Sequence, residues 1–199
     1  MASTIYVDKV DPASGTALEI GTSGDTITVP SGATFNVAGT FQSGGAALAN
    51  TPSFGATASS TQSISNGGFV KVVLDSEDWD TDSAFDSSTN YRFTVPTGAG
   101  GKYLFNYGAY LVSMTTNGYF QLQLYKNGSE LRESAFRTYM SATATSSMNI
   151  TSSICVSLAA ADYIEFYVIQ DNSDGGGGSR TLSDSNYKPF LTGMKVLGA

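Results

Sequence analysis

The run from Tyr91 to Tyr107, YRFTVPTGAGGKYLFNY, constrains the fold of this chain more than any other stretch. Tyr91, Phe93 and Val95 alternate with polar residues, the period-two signature of a strand with one buried face. Pro96 removes a ladder donor and ends that strand, and the GAGG run supplies a tight turn. Tyr103, Phe105, Tyr107, Ala109 and Leu111 then share one face of a second, longer strand.

The same pattern continues through most of the chain. Phe69, Lys71 and Val73 alternate with Val70, Val72 and Leu74. Tyr119, Gln121, Gln123 and Tyr125 alternate with Phe120, Leu122 and Leu124. Asn127-Gly128 then gives a two-residue hairpin signal. Alternating strands are also read at Ile150–Leu158, Tyr163–Ile169 and Phe190–Leu197. No stretch reads as an amphipathic helix. The expected fold class is all-β, a two-sheet antiparallel jelly-roll sandwich over residues 61–199.

Residues 1–48 are written differently. Short apolar pairs recur there: Leu18 and Ile20, Ile27 and Val29, Phe35 and Val37, separated by GTSGD, PSG and AGT turns. Fragments this short bury too little to stand alone. Three readings fit: a stem wound from several chains, an attachment arm lying on a larger protein, or a loosely ordered tail. Residues 49–60, small and polar with Gly and Pro, read as a linker, although Pro52 and Phe54 could already open the first strand of the head.

Composition excludes several functions. The net charge is −7, and no Lys/Arg run offsets it, so nucleic-acid binding is not expected. No segment approaches the about 18 apolar residues of a membrane span, and MASTIYVDKVDP does not read as a secretory signal. The chain has no histidine, which rules out Ser-His-Asp chemistry and histidine metal sites. GAGG and GGGG lack the Lys-Ser/Thr of a phosphate loop. The lone Cys155 sits in an alternating strand and reads as a small buried hydrophobe. No cofactor and no enzymatic activity are expected. The Asn127-Gly128-Ser129 and Asn149-Ile150-Thr151 triplets are read as turn and strand residues.

Strands such as KYLFNYGAYLV and YIEFYVIQ carry large residues on both faces. A solitary sandwich needs one polar face, so self-association is the simplest cover for the second; scattered surface aromatics are the alternative. A homotrimer is expected. Tyr103, Phe105, Tyr107, Tyr119, Tyr125, Phe166 and Tyr167 are its candidate core or interface residues, with the first three expected to straddle the two settings.

Phe85, Asn90, Tyr91, Phe93, Pro96, Gly101, Tyr103, Phe105 and Tyr107, read as NYRFTVP followed by GKYLFNY, resemble the signature of the complement C1q and tumour necrosis factor-like globular head. The closing FLTGMKVL is similar to the last strand of that family, and the resemblance covers roughly 52–199. It implies a ten-stranded jelly roll that trimerises through aromatic-rich faces, a ligand-binding head on an elongated stalk, and no enzyme. The collagen repeat of animal members is missing. The segment SGTALEIGTSGDTITVPSGATFNVAGT instead resembles ITVPSG-type repeats at the start of short virion proteins of tailed bacteriophages.

The acidic stretch Asp75–Asp86 reads as a solvated loop. Asp78, Asp80 and Asp82 have oxygen-ligand spacing, but Ser83 and Thr89 stand where a calcium hand needs Gly and Glu. They remain calcium candidates because members of the resembled family can hold calcium near the trimer axis. The carboxylates share one loop rather than facing each other across a cleft, so a glycosidase is not expected. Trp79 reads either as a stacking platform for a sugar ring or as an anchor on the sandwich edge. The Asp171–Asp184 loop is a second candidate contact. The functional expectation is a virion protein, made in the bacterial host cytoplasm and released by lysis. Its first reading is a short trimeric tail or neck fibre whose head contacts a host-surface glycan or protein, with residues 1–48 docking on other virion proteins. The alternative is a trimeric capsid decoration protein, and a free bacterial adhesion or binding module trails both.

Overall fold

Alternation predicts strands, and strands dominate. The computed structural model describes residues 10, 18, 20–21, 23–39, 41–43, 46–47, 50–114, 118–140, 146–172, 178–183 and 187–196. The chain divides into two units, Met1–Ala47 and Leu48–Ala199. In the first, a Pro30–Ala33 turn closes through Ala33 N–H donating to the Pro30 carbonyl at 3.0 Å, with Gly32 at φ +84°. The short strands β1 (Gln42–Ser43) and β2 (Ala46–Ala47) pair with each other.

The second unit holds β3 (Ser53–Thr57), β4 (Gln62–Ile64), β5 (Val70–Lys71), β6 (Ser76–Asp80), β7 (Phe85–Asp86), β8 (Arg92–Thr94), β9 (Gly101–Met114), β10 (Tyr119–Lys126), β11 (Ser129–Tyr139), β12 (Ser146–Leu158), β13 (Tyr163–Asp171), β14 (Arg180–Leu182) and β15 (Phe190–Lys195). Six of them form a sheet in the order β11-β10-β13-β8-β7, with β5 also on β13. Seven form the other, β4-β14-β9-β15-β3-β6, with β12 along β9. All pairings within these sheets are antiparallel. The two-sheet jelly-roll sandwich stands as expected. Asn127-Gly128 links β10 to β11 with both residues at positive φ, 53° and 76°, as a twisted two-residue hairpin requires.

The core lies between the sheets and is aromatic. Phe54 stacks on Phe85 and Phe93 at 4.9 and 4.8 Å between ring centroids. Phe93 also meets Tyr103 and Phe105 at 5.4 and 5.9 Å, and Tyr107 meets Phe166 edge-on at 5.6 Å. Gly193 faces inward on β15 because no side chain fits there. A Cβ would stand 2.6 Å from the Phe54 ring and 2.7 Å from that of Phe105.

Several expectations need correction. Residues 53–57 are not linker: β3 sits between β15 and β6, and its Phe54 is fully buried. The acidic stretch is not a loop, because β6 pairs with β3 and β7 with β8. Tyr91 does not enter its strand. It takes φ +47° at the end of a turn that the Asp86 carboxylate holds, accepting from the N–H groups of Ser88, Thr89 and Asn90 at 2.9 to 3.1 Å. Cys155 is exposed, since the even-numbered residues Met148 and Ile150 point into the core and odd ones point away. The expected loop Asp171–Asp184 contains β14, which completes the larger sheet. Residues 175–177 of the glycine run, like residues 1–9 and 11–17 of the stem, lie outside the described residues.

Candidate interaction surfaces

Tyr103, Phe105 and Tyr107 do not straddle core and interface. Spaced two apart on β9, they share one face, and each is fully buried, as is Phe166. Burial, together with the Asp82 carboxylate, pushes the Tyr103 phenol up to about 12, and its hydroxyl donates to the Ala99 carbonyl at 2.6 Å. Tyr107 donates to the Ser134 carbonyl. Ser134 lies in an irregular stretch of β11, where the register against β10 jumps between Leu122 and Leu124. Its hydroxyl accepts from Leu124 N–H at 2.8 Å and donates to the Leu131 carbonyl at 2.6 Å. This buried polar hub had no signal in the sequence.

Tyr119, Tyr125 and Tyr167 occupy the outward face of the six-stranded sheet, half-buried. Tyr125 and Tyr167 lie 4.1 Å apart between centroids, and Phe69 closes on Tyr125 edge-on at 5.7 Å. Burial raises both phenols above their ordinary value, with nearby acidic groups adding to the effect. Arg92 stands 4.1 Å over the Tyr163 ring and Arg137 4.0 Å over that of Tyr119. Lys71 pairs with the buried Glu165 at 2.6 Å. Tyrosine and arginine packed on a rigid sheet form the composition typical of interface centres. Phe69, Tyr163, Arg92 and Arg137 were not singled out beforehand. What brings them together is the order β11-β10-β13-β8, with β5 also on β13, which is set largely by long-range pairing.

The outward face of the seven-stranded sheet carries Trp79. Its six-membered ring sits directly over Gly55, where a Cβ would be 2.3 Å away, and the side chain remains 46 % exposed. Both readings of this residue therefore meet in one geometry, an anchor on the Gly55 side and a free aromatic surface on the other. Phe190 covers Gly108 in the same way, with 2.6 Å to a built Cβ. Leu104, Tyr110 and Met194 share this face and are incompletely buried.

The calcium candidates are not gathered into a ligand set. The Asp80 carboxylate accepts from Phe85 N–H at 2.7 Å, and that of Asp82 accepts from the Thr81 hydroxyl at 2.7 Å. Asp78 is the extra residue of the β6 bulge, opposite the step from Gly55 to Ala56. Among the described residues no group of three or more His, Cys, Asp or Glu side chains is placed to hold a metal ion. An open pocket of about 460 Å³ beside Asp82, Phe85, Val95, Pro96 and Ala161 has Asp86 on its wall. The turn from Ser88 to Asn90 occupies that carboxylate and holds it well below the usual range. Among the described residues no helix is long and apolar enough to cross a membrane.

No protein-family profile matches the chain, and neither does any curated protein. Solved structures do match. Murine APRIL is 15 % identical over 72 % of this chain and 98 % of its own, with a TM-score of 0.50. The globular domain of zebrafish complement 1qA protein is 14 % identical over 73 % and 97 %, with a TM-score of 0.47. The PRD1 vertex protein P5 is 18 % identical over 74 % and 99 %, with a TM-score of 0.48. At these identities the likeness is one of fold alone: the unit Leu48–Ala199 is a jelly-roll sandwich like that of murine APRIL.

Proposed function

We propose that the protein is a non-catalytic structural component of a virion, a homotrimer seated among other proteins on the capsid surface as a decoration protein. The observation that carries this reading is that both sheets present contact-grade outward faces. One has Tyr125, Tyr167, Tyr119 and the stacked arginines; the other has Trp79, Phe190, Tyr110 and Met194. A three-fold contact is heterologous, and where a face of one subunit meets an edge of the next it covers one such face per subunit. A second face of the same character suits a head packed among neighbours better than a head held free at a tip. The virion assignment rests on the resemblance of the stem, with its single ITVPSG stretch at 27–32, to the start of short virion proteins of tailed bacteriophages.

A tail or neck fibre is the second reading, favoured by the repeated apolar pairs of residues 18–37, which suit a shaft. In that case the free face of Trp79 offers a stacking platform for a host glycan. Densitometry of stained gels from purified particles separates the two. Hundreds of chains per particle are expected for decoration, and a few trimers would shift the assignment to the fibre. Light scattering of the free protein should give about three times the 20.8 kDa chain mass, and a monomer would end both readings.

A further inference from the structure

We propose that Asn127 is a modification site, an asparagine set to lose ammonia to its own backbone, which the folded head keeps unreactive by clasping its side-chain amide with Asp162 and Tyr163. The inference does not depend on the assembly proposed above. Asn127-Gly128 is one of three Asn-Gly pairs in the chain. In such a pair no Cβ at the glycine shields the backbone nitrogen. Once deprotonated, the Gly128 nitrogen attacks Asn127 Cγ. The N–Cγ bond forms, the Cγ–Nδ2 bond breaks, and ammonia leaves with the proton that the Gly128 N–H gave up. Water then opens the cyclic imide at Cγ to give aspartate, or at the main-chain carbonyl carbon to give the isomer whose backbone runs through the side chain. Asn127 and Gly128 are both exposed, so water is at hand.

The attack requires the carboxamide to swing over the Gly128 nitrogen, and the structure ties both of its ends elsewhere. Nδ2 donates to Asp162 Oδ1 at 2.7 Å, and the side-chain oxygen accepts from Tyr163 N–H at 2.9 Å. The backbone is held too, with Asn127 N–H donating to the Tyr163 carbonyl at 3.0 Å. Asp162 is itself fixed by Lys126 at 2.8 Å and by Ala159 N–H at 2.8 Å. Its charge strengthens the bond it accepts from the amide. Asn66 heads another Asn-Gly pair, and among the described residues its side chain is held at the oxygen alone, by Asn172 N–H at 2.8 Å. The conversion is one-way. Aspartate at this position sets a carboxylate against Asp162 where a bond of 2.7 Å now stands, and like charges at that range repel. The isomer lengthens the backbone of a turn that already holds φ at 53° and 76°. A converted copy therefore cannot close the clasp between the β10–β11 hairpin and the turn before β13.

The test follows deamidation of the full chain in mildly alkaline buffer by peptide mapping, which reads each Asn-Gly pair separately. At Asn127 the native protein is expected to react at least tenfold more slowly than the same chain unfolded in urea. Asp162→Ala should raise the native rate at Asn127 at least tenfold and leave that at Asn66 unchanged. Asp162→Asn, the milder variant, keeps an acceptor oxygen but loses its charge, and should raise the rate at least threefold. Lys126→Ala, which leaves both bonds to the amide in place, should stay within about threefold of the parent. Equal rates in the native and unfolded chain refute the lock. Unchanged rates in both Asp162 variants refute the role of Asp162. Acceleration by Lys126→Ala as large as that by Asp162→Ala assigns protection to the turn as a whole and overturns the clasp, as does acceleration at Asn66 alongside Asn127 in Asp162→Asn.

Discussion

Phe35 and Phe54 are the same side chain in two settings. Phe54 is fully buried, stacked between Phe85 and Phe93 from the opposite sheet. Phe35 is 65 % exposed, with Phe41 beside it at 6.1 Å. Both belong to short segments with alternating apolar residues, so local pattern does not separate them. The difference lies in partners. Phe54 sits on a strand held between β15 and β6 in its own sheet, and β7 and β8 of the opposite sheet close a second layer over it. Among its described residues the stem shows no second layer within its own unit. Alternation makes a surface that wants cover, and only long-range pairing within the chain, or another chain, provides it.

If that contrast is right, mutations should divide sharply between the two units. Phe54→Ala should have the largest effect, lowering the stability of the head by about 3–5 kcal/mol in urea unfolding, because it opens a cavity in the aromatic stack. A loss under about 1 kcal/mol would contradict the placement of β3 in the core. Gly193→Val comes next, at about 1–3 kcal/mol, since its side chain must displace the Phe54 and Phe105 rings. Thermal melts of this variant should show a clear drop, and an unchanged midpoint would mean that β15 is not so tightly packed.

Asp162 sharpens the comparison at the polar margin of the head. Its carboxylate accepts from Lys126 at 2.8 Å, Asn127 at 2.7 Å and Ala159 N–H at 2.8 Å. These contacts, the Lys126 hydrogen bond first, hold it down to about 2 from an ordinary 3.8. A depressed carboxylate stabilises the fold above its unfolded value and loses that contribution as the pH falls. Asp162→Asn should therefore cost about 1–2 kcal/mol near neutral pH. The gap to the parent protein should close between about pH 4 and pH 2. A gap that persists at pH 2 would show that charge is not the cause.

Trp79→Ala should cost about 1 kcal/mol or less, because nearly half of the side chain already faces water. Acrylamide should quench its fluorescence readily in the free subunit, and protection in the assembled protein would place this face in a contact. The smallest effect belongs to the stem. Ile27→Ser combined with Val29→Ser should shift head unfolding by less than about 0.5 kcal/mol. A larger shift would erase the distinction between the two units.

How much of this was legible depended on the range of the interaction. The faces of β9, β10 and β13 follow from period-two alternation, and the β10–β11 hairpin follows from Asn127-Gly128, whose backbone needs are local. β3 was obscured by its small neighbours, and β6 by carboxylates that made an edge strand look like a loop. Trp79 gave no sign of its seat on Gly55, since that contact depends on a register across two strands. The inward Cys155 failed for a simpler reason: its parity on β12 is opposite to that of Met148 and Ile150.

Residue pattern alone therefore settled the all-β class and the position of the main strands, and shows that no histidine is available for chemistry. Tertiary structure decided which aromatics are core and which face outward. Tyr103 and Tyr125 are chemically alike, yet one is fully buried beside Phe93 and the other half-exposed beside Tyr167. The reason is physical. A strand's own residues fix that its two faces differ, but which face is covered depends on where a second sheet packs, and that is set by pairings between segments distant in the chain.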